Sequence, residues 1–102
     1  DSNVILPAIP EWADAVWHIF VIRQPERDKL QSYLAQHNIG TGIHYPVPSH
    51  RQQAYADSLP ANGNYPLADQ FAKDVLSLPI GPHLGTDQCR YVAKAIRDFS
   101  AR

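Results

Sequence analysis

Histidines are the residues of this chain best suited to chemistry near neutral pH. There are five: His18, His37, His44, His50 and His83. His44 and His50 bracket the segment Tyr45-Pro46-Val47-Pro48-Ser49. A zinc site needs three or four ligands at fixed geometry, so these two would need His18 or a carboxylate to join them. Nothing in the spacing calls for that, and no metal is expected. His18 lies among Val16, Phe20 and Ile22 and reads as a buried, hydrogen-bonded core histidine. His37 and His83 fall at a helix end and in a turn.

The other candidate nucleophiles lack a setting. Cys89 lies on an apolar helical face with Val92, Ala93, Ile96 and Phe99, and is expected to be a packed, inert thiol. Lys29, Lys73 and Lys94 sit at exposed helical positions, whereas an imine-forming lysine must be desolvated. The serines form no G-x-S-x-G elbow, and there is no glycine-rich phosphate loop. From residue types alone, His44, Tyr45 and His50 form a polar loop without a complete catalytic set.

The elements that must hold this loop follow from hydrophobic period. Val16 to Ile22 is β-branched and aromatic and ends before Pro25, which predicts a strand covered on both faces. Pro25, Glu26 and Asp28 open a helix over 26–37, with Leu30, Tyr33, Leu34 and His37 facing the core. Asn38 suits the left-handed cap that stops it. Residues 40–44 read as a second short strand, whose Gly40 and Gly42 mark a close approach. Residues 51–58 read as a short helix, and Pro60 to Tyr65 as a turn. Pro66 opens a helix over 66–74 with a Leu67, Phe71, Val75 stripe, and a third strand follows at 76–80. Thr86 is the expected cap of a final helix over 87–99. The predicted fold class is α+β: a small, mostly antiparallel three-stranded sheet with helices packed chiefly on one face.

Composition narrows the function. The 102 residues form one domain, 1–102, with 44% hydrophobic residues, 19% charged residues and a net charge of -1. Acids and bases balance in each half, so no basic stripe exists for nucleic acid or an anionic membrane. One cysteine excludes an internal disulfide. With no signal-peptide pattern and no long apolar run, a cytoplasmic location is expected. The chain holds no methionine, which implies a removed start residue or excision from something longer.

Three blocks resemble the C-terminal domain of the DegT/DnrJ/StrS sugar aminotransferases. They are Val16 to Arg23 followed by Arg27-Asp28-Lys29-Leu30, Ile39 to His50 with Ala54-Tyr55, and Tyr65-Pro66-Leu67-Ala68 through Ile80. The helix from Asp87 to Ile96 matches in placement. One departure is Asn38, where the family usually has glycine.

That family consists of pyridoxal-phosphate enzymes, and the resemblance implies a small domain whose large, lysine-bearing domain is missing. In the parent, an amino donor, usually glutamate, would pass its amino group to a nucleotide-linked keto-deoxysugar, with a dTDP-linked 3-keto sugar as the form the motif resembles. The chain alone would hold no cofactor and be inactive. His44 matches the family's loop histidine near cofactor and sugar, and would bond a sugar hydroxyl or phosphate or assist proton transfer. Tyr45 and His50 would line the same wall. An uncovered face near Trp12, Trp17 and Tyr45 implies self-association. The alternative is a stand-alone binding module reusing the fold, which an upstream reading frame would distinguish.

Overall fold

The computed structural model describes residues 3–58 and 63–102. Two strands, β1 (Phe20–Arg23) and β2 (Val75–Leu78), pair antiparallel with Phe20 opposite Leu78 and Ile22 opposite Leu76. Three helices accompany them: α1 (Arg27–Gln36), α2 (Pro66–Asp74) and α3 (Thr86–Ser100). The α+β class holds. Among the described residues its sheet has two strands rather than three. Single bridges, Ile5 to Arg23 and Gly42 to Ser77, extend the two edges.

The strand expected at 40–44 is therefore one paired residue. Gly42 and Ser77 exchange both backbone bonds, at 3.1 and 2.7 Å. β1 starts at Phe20 rather than Val16, because β2 offers only four residues to pair with it. Val16 is 95% exposed. His18 is exposed too, which overturns its core assignment.

Alternation along the strands separates two faces. Phe20, Ile22, Leu76 and Leu78 meet α1 and α3 through Leu30, Leu34, Ala95 and Ile96, and Ile39 closes the same core. On the other face Val21 pairs with Ser77 and Arg23 with Val75.

The helix ends obey local chemistry. Asn38 takes φ 58°, so the left-handed stop after α1 is real. Pro66 occupies the first turn of α2. The α3 cap is Gly85 instead of Thr86; Gly85 N–H donates to Gln88 Oε1 at 2.8 Å. The short helix expected over 51–58 is a single 3₁₀ turn at Gln53–Tyr55, preceded by another at Ser49–Arg51. The turn expected over 60–65 lies outside the described residues up to position 62.

Of the expected α2 stripe, Val75 is buried while Leu67 and Phe71 stay outside the core. Leu67 is exposed, and the Arg23 guanidinium lies 4.5 Å from the Phe71 ring centre. Arg23 also grips Asp74 through Nη2 to Oδ2 at 2.7 Å. Burial pushes the Asp74 carboxyl up, but Arg23 and the Gln70 amide outweigh it and its pKa is lowered. Buried Arg27 donates to Val75 O at 2.9 Å and Ala72 O at 3.3 Å, satisfying carbonyls at the α2–β2 junction.

Candidate functional site

The loop from Gly42 to Arg51 is fixed at both ends. At its start, the Gly42 bridge places His44 beside β2. His44 Nδ1 lies 2.8 Å from Ser77 Oγ. The ring rests over Gly42, where a Cβ would stand only 3.0 Å from His44 Cε1. Of the two glycines expected to mark a close approach by another backbone or a ligand, Gly42 is approached by the imidazole two residues on, and Gly40 by nothing within 4 Å. His44 itself is exposed, and 72%-exposed Tyr45 stands edge-on to it at 5.4 Å.

The far end of the loop is held by α2. His50 Nε2 lies 3.0 Å from Asp69 Oδ1, and its ring packs 4.8 Å from Tyr65. Arg51 grips the same carboxylate, Nε to Oδ1 at 2.6 Å and Nη2 to Oδ2 at 3.0 Å. The Arg51 bonds, helped by His50, hold Asp69 at a pKa of about 2 against the opposing effect of burial. A carboxylate only accepts, so His50 Nε2 carries the proton in this pair.

The sequence-predicted residues therefore divide. His44 and Tyr45 adjoin one another and face outward. His50 takes its partners from α2, and its side chain is only 11% exposed. It clamps the loop instead of presenting a free imidazole. Ser77, Arg51 and Asp69 carry the anchoring and were absent from the sequence candidates. Ser77 left one signal, a polar residue alternating with Leu76 and Leu78 in an otherwise apolar strand.

The lysines do not fit an imine with pyridoxal phosphate. Lys29 pairs with Glu26 on the α1 surface, and Lys94 pairs with Asp98 on α3, which raises its pKa. Lys73 is exposed. None is desolvated as such a lysine must be. Among the described residues no three of His, Cys, Asp and Glu converge as metal ligands. No helix there is long and apolar enough to cross a membrane.

An apolar groove of about 550 Å³ lies on the helical side, between Phe20 and Leu78 of the sheet, Leu84, and Val92 of α3. Cys89 lines it and is exposed, which corrects the expectation of a packed thiol.

Residues 2–97 match the model of the DegT/DnrJ/EryC1/StrS aminotransferase family. A dTDP-3-amino-3,4,6-trideoxy-alpha-D-glucose transaminase of Streptomyces venezuelae is 46% identical over 97 residues, 95% of this chain and 26% of that protein. A dTDP-3-amino-3,6-dideoxy-alpha-D-galactopyranose transaminase of Aneurinibacillus thermoaerophilus is 38% identical over 94 residues, 92% of this chain and 25% of that protein. The crystal structure of S. venezuelae DesV in complex with a ketimine intermediate superposes with a TM-score of 0.92 at 45% identity, over 98% of this chain and 27% of that one. The chain thus spans about a quarter of the length of these relatives. With its fold, its loop and nearly its whole length matching, this chain belongs to the DegT/DnrJ/EryC1/StrS aminotransferase family.

Proposed function

We propose that residues 1–102 are the C-terminal small domain of a pyridoxal-phosphate-dependent aminotransferase acting on a nucleotide-linked keto-deoxysugar, with a dTDP-linked 3-keto-6-deoxyhexose as its substrate class. Family membership and the names of the two dTDP-sugar relatives support the substrate class. The cofactor supplies electron-sink chemistry for moving an amino group from the donor, glutamate by family resemblance, to the keto carbon. In this reading the cofactor's lysine belongs to a large domain beyond this chain, which the exposed setting of Lys29, Lys73 and Lys94 supports, and the chain alone is inactive. A cytoplasmic location accompanies this reading.

The role of this domain is positional. The observation that carries it is the exposed His44 side chain, held against Gly42 and Ser77 and edge-on to Tyr45. Rigid scaffolds present binding residues on loops in this way. His44 and Tyr45 meet the sugar side of the substrate, and His50 holds the loop that carries them. In the full-length enzyme, His44→Ala lowers kcat/KM about 10-fold or more while the fold is kept. An unchanged kcat/KM overturns the assignment.

The isolated chain self-associates through apolar surface near Trp12, Trp17 and Tyr45. These side chains are 88%, 39% and 72% exposed. Sedimentation at about millimolar concentration checks this, and a strict monomer counts against it.

A further inference from the structure

Ser77 projects from the sheet face opposite the core and is 5% exposed. Its hydroxyl has one donor proton and two acceptor lone pairs. Among the described residues its hydrogen-bond partner is His44 Nδ1, at 2.8 Å. The proton of that bond has two possible owners. If Nδ1–H donates to Oγ, the buried hydroxyl proton is left without an acceptor. If the hydroxyl donates to Nδ1, only lone pairs go unused, and a buried acceptor with a spare lone pair is tolerated better than a stranded donor.

We infer that Ser77 is the positioning residue for His44: its O–H donates to Nδ1, holding the neutral imidazole as the Nε2–H tautomer and making Nε2 a hydrogen-bond donor. The backbone enforces this register. Gly42 pairs with Ser77 in both directions, and its missing Cβ leaves the space the ring fills. A neutral Nε2–H cannot take a proton from substrate. It can donate to an oxygen, such as a hydroxyl, keto or phosphate oxygen of a nucleotide-linked sugar. The sugar as occupant rests on the proposed function; the tautomer belongs to this chain alone.

Two measurements separate these layers. In the histidine-¹⁵N-labelled chain at about pH 8.5, above the ordinary imidazole range, two-bond ¹H–¹⁵N correlation shows a protonated Nε2 and an unprotonated Nδ1 for His44. Ser77→Ala introduces a share of Nδ1–H, and Ser77→Thr restores the wild-type pattern. A protonated Nδ1 in the wild type overturns the inference without any variant needing to fold. A tautomer unmoved by Ser77→Ala overturns it as well.

In the full-length enzyme, Ser77→Ala raises KM for the nucleotide sugar up to about 10-fold, with kcat within about twofold and KM for the amino donor unchanged. A fall in kcat with a displaced pH profile overturns the donor role. A rise in the amino donor's KM instead overturns the sugar as occupant. Flat kinetics beside the expected tautomer overturn the sugar-facing reading of His44 and leave the Ser77 assignment standing.

Discussion

His44 and His50 stand at opposite ends of one proline-bearing loop, six positions apart, and the fold treats them in opposite ways. His44 is exposed and tethered to a neutral hydroxyl on β2. His50 is largely covered and tethered to a carboxylate that Arg51 also holds. The neutral tether orients an imidazole while leaving its other nitrogen available. The charged cluster spends its histidine on fixing the loop. A histidine's role is thus set by the partner on its inner nitrogen and by what its outer nitrogen faces.

The largest effect is expected from crowding the His44 end. Gly42→Val places a branched side chain where the imidazole lies. Overpacking of this kind costs about 1–3 kcal/mol, read as a lower urea midpoint, and the His44–Ser77 contact is lost with it. If the His50–Asp69 contact loosens equally, the two ends are not independent and the comparison fails.

A smaller effect is expected at the other end. Asp69→Ala removes the acceptor shared by His50 and Arg51. Protease cleavage after Arg51 should then quicken several-fold, while the His44 resonances stay in place. Movement of His44 along with the loop would show that α2, and not only β2, sets its position.

The pH dependence sharpens the same contrast. Asp69 has its pKa lowered from 3.8 to about 2 in the folded chain. Its contribution is fully present above the unfolded carboxylate pKa and is lost as pH falls toward about 2. Asp74, also lowered, acts with the same sign. Unfolding measured from about pH 5 downward should lose stability, and Asp69→Asn should remove part of that slope. A variant with the wild-type slope would mean that the Asp69 cluster does not hold the loop. The smallest effect is expected from Arg51→Lys. It keeps the charge but loses the two-point grip on Asp69, and loop proteolysis should rise only slightly.

The helices were legible because their information is local. Leu30 and Leu34 are fully buried on the predicted stripe of α1, Asn38 adopts the predicted cap conformation, and Pro66 opens α2. Hydrogen bonds between a residue and the fourth before it, with caps at the ends, need no distant partner. The strands were legible only in part. Val16 to Ile19 has the composition of a strand but lies beyond the reach of the four residues of β2. Residues 40–44 pair only at Gly42. The α2 stripe held only at Val75, which is buried, since periodicity marks an apolar face without saying what covers it: Phe71 meets the Arg23 guanidinium instead of the core.

By itself the sequence determined the family, the α+β class and a proline-stiffened loop bearing His44, Tyr45 and His50, because proline fixes its own φ wherever it stands. The tertiary structure decided which histidine is presented and which is spent. Ser77 lies 33 positions from His44, and Asp69 lies 19 from His50. No local pattern encodes contacts at such separations. They exist because β2 pairs with Gly42 and α2 lies against the loop, so hydroxyl and carboxylate arrive only when the chain folds back on itself.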